Sequence, residues 1–168
     1  MKLILFRHGV AMERAEAISQ KMEDSQRPLA EKGQVRTEKM GKFLIEREEK
    51  VDLLVSSPYL RALQTAEILA RIYGVKTIHR CPELVPAAPP QAFAQWLAAY
   101  AKTARSVIAV GHEPQLPVFA SWILAGTTDS FVDIKKSGVL CLEVETFEKV
   151  GPRSGQMRCL LQPKFLFK

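Results

Sequence analysis

Three short apolar runs, each stopping abruptly at polar residues, constrain this chain more than any other feature. Leu3-Ile4-Leu5-Phe6 ends at Arg7-His8-Gly9, Val51-Asp52-Leu53-Leu54-Val55 at Ser56-Ser57-Pro58, and Ser106-Val107-Ile108-Ala109-Val110 at Gly111-His112. A run with little polar alternation is the pattern of a strand covered on both faces. Between the runs lie segments with helical spacing. Residues 29–50 place Val35, Met40, Phe43 and Leu44 near one face, 59–73 do the same with Leu63, Ala66, Leu69 and Ala70, and 90–102 and 114–124 read as further helices. Pro58, Pro90 and Pro114 each stand where a first helical turn tolerates a missing N–H. This alternation predicts an α/β fold, a three-layer α/β/α sandwich around a mostly parallel sheet. Residues 139–144 and 157–161 read as two late strands, a hairpin around 151–155 that gives the sheet an antiparallel edge.

The 168 residues fit a single domain, 1–168, with a core that needs neither disulfides nor a structural metal. A composition of 47% hydrophobic and 25% charged residues is ordinary globular usage and excludes disordered, collagenous and membrane classes. The net charge of +6 is spread along the chain, with excesses of +2, +1 and +3 over residues 1–50, 51–100 and 101–168. That distribution lacks the clustered basic stripe of a nucleic-acid binder. The mixed-sign run Glu46-Arg47-Glu48-Glu49-Lys50 reads as a solvated helix end. Only four apolar residues follow Lys2 before Arg7, short of the roughly 7–15 of a signal peptide, and no run approaches the ~18 of a membrane span. The three cysteines contain no C-x-x-C, so they read as reduced thiols, and the chain has no Asn and hence no glycosylation sequon. The expected address is the cytoplasm, with neither nucleic acid nor membrane as partner. Residues 82–90 hold four prolines and read as a loop near the sheet edge, serving as a lid, a specificity element or a rigid connection.

Ligands of open α/β sheets bind outside the carboxyl ends of the strands. Two of the three histidines, His8 and His112, stand there, each beside a glycine; His79 has no such setting and reads as a surface residue. Arg7 precedes His8, and Arg61 lies in the first turn of the helix after the second strand. A guanidinium fork and a helix N-terminus both suit phosphate, whereas adjacent arginines repel a metal ion. No metal and no cofactor are expected. The chain has no G-x-x-x-x-G-K-[ST] loop, and the residues six beyond its cysteines are Ala87, Phe147 and Phe165, so no thiolate has a nearby phosphate-binding arginine. Histidine remains as the nucleophile.

These segments resemble three motifs of the histidine phosphatase superfamily, also called phosphoglycerate mutase-like. Leu5-Phe6-Arg7-His8-Gly9 is similar to its R-H-G signature, Ser56 to Ala66 to its second motif, and Val110-Gly111-His112-Glu113-Pro114 to its third. The short chain, Arg27-Pro28-Leu29 followed by Gly33, and the G-H-E-P form look most like the SixA-type phosphohistidine phosphatases. The similarity runs to about residue 125, and the last forty residues add little to it.

The resemblance implies that His8 is the nucleophile and that Arg7, Arg61 and His112 hold the phosphoryl oxygens, His112 as a protonated donor. The arginines are expected to keep His8 neutral. Arg27 reaches the rim or forms a structural ion pair, and Ser57 caps its helix, with Pro58 at the first helical position, and touches phosphate. Relatives use a carboxylic acid after the third strand to protonate the leaving oxygen, and Glu83 is the candidate here. Ala30 stands where relatives carry Thr, which removes a helix cap. The implied activity is removal of phosphate from a phosphohistidine on a protein. The alternatives are a small-molecule phosphomonoesterase and a phosphate-dependent binding module without turnover.

Overall fold

The computed structural model describes residues 1–47 and 50–167. Its six strands form one sheet: β1 (Lys2–Arg7), β2 (Leu53–Ser56), β3 (Ile78–Arg80), β4 (Ser106–Gly111), β5 (Val139–Val144) and β6 (Gly155–Leu161), in the order β3-β2-β4-β1-β5-β6. The first four run parallel, while β5 is antiparallel to both β1 and β6. The predicted hairpin and antiparallel edge are therefore present. β3 is a three-residue edge strand that carries the exposed His79, too short and polar to signal itself in sequence.

The helices are α1 (Arg14–Ser19), α2 (Glu31–Ile45), α3 (Leu60–Tyr73), α4 (Pro90–Tyr100), α5 (Gln115–Ala125) and the short α6 (Pro163–Leu166). Two buried clusters explain the unbroken apolar strands. Leu3, Leu5, Val107 and Ala109 face α4 and α5 through Phe93, Leu97, Phe119 and Ile123. Ile4, Phe6, Ile108 and Val110 face α2 and α3 through Met40, Leu44, Ala66 and Leu69. Successive side chains of a strand point to opposite faces, so covering both faces makes every position apolar.

Helix boundaries differ from the spacing-based expectation in informative ways. α2 ends at Ile45; Glu46 and Arg47 follow it exposed, and Glu48 and Glu49 of the expected helix end lie outside the described residues. Ala30 is the N-cap of α2 and makes no side-chain cap bond, as its missing hydroxyl predicts. Residues 82–90 are not wholly irregular, since Pro82–Leu84 form a 3-10 turn. Among the described residues no helix is long and apolar enough to cross a membrane. No disulfide joins any of the three cysteines.

Two glycines set how closely the loop after β1 lies on α2. A Cβ on Gly33 would come within 2.0 Å of the Val10 carbonyl oxygen, and one on Gly9 within 2.7 Å of Thr37 Oγ1. Neither position has room for a side chain, so backbone meets helix directly just beyond His8. Val10 O accepts from Ala30 N at 2.9 Å, which fixes the start of α2 to the same loop.

Candidate active site

The carboxyl ends of β1, β2 and β4 meet at one place. His8 N donates to Gly111 O at 3.0 Å and Ser57 N to Val110 O at 2.9 Å, so strand pairing itself sets the three loops side by side. His8 and His112 stand with ring centroids 4.9 Å apart, and the Nε–H of Arg61, from the first turn of α3, donates to His8 Nε2 at 3.3 Å. His8 Nδ1 lies 2.7 Å from the Gly9 carbonyl oxygen. A carbonyl only accepts, so Nδ1 carries the proton and Nε2 holds the lone pair. Arg7, His8, Arg61 and His112 line a cavity of about 350 Å³ with Arg27, Pro86 and Lys136 among their neighbours. A second, mainly apolar groove of about 360 Å³ lies alongside and shares Arg14 and Arg27 with it; the rest of its lining is Ala17, Ile18, Met22 and the arginine-paired Asp24.

The arginines are held by specific acceptors. Arg7 Nη1 donates to Ile134 O at 2.7 Å and pairs with Glu113. Arg61 donates from Nη1 to the Asp24 carbonyl oxygen at 2.6 Å and from Nη2 to Asp24 Oδ2 at 2.9 Å. Arg27, also buried, places Nη1 3.2 Å from Asp24 Oδ1. Desolvation opposes the charge on Asp24, but the three arginines around it, Arg61 first, hold its carboxyl below the usual range. The 3-10 turn Asp24–Gln26 thus ties three cations of one site together.

Both histidines are neutral in this setting. Burial pushes His8 down to about 3, with the charges of Arg61, Arg7 and Lys136 adding to it against the Gly9 hydrogen bond. The expectation that arginines keep His8 neutral therefore needs amending, because desolvation is the larger cause. His112 falls to about 2, again first by burial and then by its neighbours' charges. His112 is therefore neutral and not the protonated donor expected of it. Its Nε2 shares a 2.8 Å hydrogen bond with Ser57 Oγ, and its buried Nδ1 has no hydrogen-bond partner among the described residues.

Three further expectations change. Ser57 does not cap α3: the N-cap is Tyr59, α3 begins at Leu60, and Pro58 precedes both. The Ser57 hydroxyl is instead spent on His112, although Tyr59 N also approaches it at 3.4 Å. Glu83 does not line the cavity; its Oε2 accepts from Cys81 Sγ at 3.3 Å, and the turn at Pro82–Leu84 directs it there. Arg27 does both things foreseen for it, since it lines the cavity and pairs with Asp24.

Sequence reasoning missed Asp24, Glu13 and Lys136. Asp24 stands three residues before Arg27, and only the fold carries it to Arg61, 37 positions away. The segment after residue 125 matters more than its weak resemblance implied. Ser137, at φ 59, donates from its backbone N to Arg7 O and His8 O at 3.1 and 3.2 Å, and Arg7 N donates to Gly138 O at 3.0 Å. In the second motif, Thr65 Oγ1 accepts from Gly9 N at 3.1 Å and Gln64 Oε1 from Leu29 N at 2.6 Å, so these residues brace the site without entering it.

The buried neutral histidines make stability depend on pH. Their folded pKa values lie below the unfolded value of 6.5, so below about pH 6.5 the unfolded chain binds protons that the native chain refuses. Stability is fully present above that pH and is lost as pH falls toward about 3. Urea denaturation at pH 7, 5.5 and 4.5 should show a slope approaching two protons, about 3 kcal/mol per pH unit. His8→Gln should roughly halve it; an unchanged slope would contradict neutral burial.

Comparison with known proteins bears on the family and the fold. The model of the histidine phosphatase superfamily, branch 1, matches residues 3–85. An uncharacterized protein of Picosynechococcus is 33% identical over 167 residues, covering 99% of both chains. The protein histidine phosphatase SixA, solved in complex with tungstate, superposes with a TM-score of 0.85 at 22% identity over 99% of this chain and all of its own. A mycobacterial glucosyl-3-phosphoglycerate phosphatase, solved with VO3, gives 0.69 at 16% identity over 94% and 97%. With the R-H-G strand end inside the matched span and its fold shared over nearly the whole chain, the protein belongs to the histidine phosphatase superfamily.

Proposed function

We propose that this chain removes phosphate from a phosphohistidine carried on a protein, through a phosphorylated His8. The observation that carries this reading is a neutral His8 in a cavity lined with arginines, its Nδ1–H committed to Gly9 O and its Nε2 lone pair meeting the Nε–H of Arg61. His8 Nε2 attacks phosphorus in line as the bond to the substrate imidazole breaks. A substrate ring protonated on its other nitrogen departs as neutral imidazole and needs no acid at the breaking bond. Water then attacks the phosphorus of phospho-His8, loses a proton, and returns Nε2 its lone pair. Arg7 and Arg61 neutralise the equatorial oxygens in both steps, with neutral His112 beside them in the cavity. That the SixA neighbour was solved with tungstate, an oxyanion, supports an oxyanion site here as well.

The disposition of carboxylates favours phosphoramidate over ester. Glu113 is paired with Arg7, Asp24 with three arginines, and Glu83 turns to Cys81. A second reading, a small-molecule phosphomonoesterase, has one observation in its favour: exposed Glu13 lines the cavity and is placed to protonate an alkoxide. A panel of a phosphohistidine protein against sugar and nucleotide monophosphates separates the two. The expected result is a kcat/KM at least roughly 10²-fold higher for phosphohistidine, unaltered by Glu13→Gln. Faster ester turnover that collapses in Glu13→Gln would establish the second reading instead.

A further inference from the structure

We infer that Lys136 is a phosphoryl-binding residue, the cation that brings the charge of this pocket level with a phosphoryl dianion. The inference rests on the phosphatase reading of the cavity and concerns a residue outside the three motifs. Lys136 lines the same cavity as His8 and Arg61. Its backbone is fastened to the nucleophile's own strand end, because the next residue, the fully buried Ser137, donates to both Arg7 O and His8 O. Gly138 N closes the turn onto Lys135 O at 2.6 Å, and Ser137 Oγ lies 3.2 Å from Thr37 Oγ1, so the loop is fixed on two sides.

The charge balance identifies what this lysine is for. The four arginines of the site all have carboxylate partners: Arg7 has Glu113, while Arg14, Arg27 and Arg61 share Asp24. Glu13 adds a third carboxylate at the cavity wall, and the two histidines are neutral. Four arginines against three carboxylates leave one positive charge, too little for a dianion. Lys136 supplies the second. Among the described residues it forms no ion pair or hydrogen bond, unlike its neighbour Lys135, which pairs with Asp133 at 2.5 Å. An unpaired ammonium beside four paired guanidiniums is the donor freest to turn to an incoming oxygen, and its charge is already felt at His8. A lysine ammonium is a compact point charge on a flexible stem, suited to follow an oxygen as the phosphoryl group moves between nitrogens.

Calorimetric binding of inorganic phosphate at pH 8 to the full chain tests this, using wild type, Lys136→Gln, Lys136→Arg and, as a control, Lys135→Gln. Lys136→Gln is expected to weaken phosphate about 10- to 100-fold, the range of one charge-assisted hydrogen bond. Lys136→Arg should retain most of the affinity and Lys135→Gln all of it. Thermal melts matching wild type would exclude unfolding, which a half-buried lysine without partners makes no cause for. Wild-type affinity in Lys136→Gln would overturn the role of Lys136 and leave the phosphatase reading intact. Failure of the wild-type protein to bind phosphate at all would overturn the reading of the cavity, and the lysine's role with it.

Discussion

His8→Ala is expected to abolish release of phosphate from a phosphohistidine protein, by roughly 10³-fold or more, while leaving a folded chain. The variant removes the atom on which the two-step route depends, and the other histidine lining the cavity, His112, has its Nε2 engaged with Ser57. Direct hydrolysis by water in the remaining arginine pocket would supply only residual turnover. Incubating the wild type with radiolabelled substrate and quenching in base should trap a phosphoprotein that is stable to base and labile to acid, as a phosphoramidate is. His8→Ala should carry no label. Label retained in His8→Ala, or turnover within a few-fold of wild type, would show that another group takes the phosphoryl and would remove the central step of the proposal. A binding module without turnover would give neither label nor release in the wild type, so the same assay separates that reading too.

How much of this arrangement was readable in advance follows from what kind of contact each residue makes. Arg7, His8, Arg61 and His112 were legible because each follows a buried apolar strand at a fixed short offset, and strands of one parallel sheet deliver their carboxyl ends to one edge. The apolar runs of β1 and β4 were legible for the same reason, being covered on both sides. β3 escaped notice because an edge strand of three residues has one partner and mostly exposed side chains. Ser57 was misread because a serine before a proline is an ordinary cap signal, and only the approach of β4 shows that His112 competes for its hydroxyl. Glu83 was assigned on position in a motif order, yet the 3-10 turn that carries it points the carboxylate at Cys81. Lys136 lies in a loop between α5 and β5 with no periodicity, and it acquires meaning only through the Ser137 bonds to β1. Long-range polar contacts of this sort leave no local pattern in a single chain.

Asp24 is the sharpest example, and the largest effect expected away from the nucleophile belongs to it. Its carboxylate and carbonyl oxygens together hold both Nη atoms of Arg61, which leaves Nε–H directed at His8 Nε2. Asp24→Ala removes one of the two anchors and frees the guanidinium to swing. A misplacement on the order of 1 Å at a catalytic group costs about 10²-fold, and kcat for phosphohistidine should fall by roughly that factor. Inorganic phosphate, by contrast, should bind Asp24→Ala as tightly as wild type or more tightly, because the pocket loses a negative charge. Asp24→Asn should sit between, since the amide oxygen still accepts from Nη2 but no longer offsets the three arginines. These opposite signs distinguish positioning from mere structural support: a residue that only stabilised the fold would weaken phosphate binding and turnover together. Unchanged kcat in Asp24→Ala would mean that the carbonyl bond alone keeps Arg61 in register. A joint fall in kcat and phosphate affinity would mean that Asp24 supports the fold of the pocket and does not act by aiming Arg61.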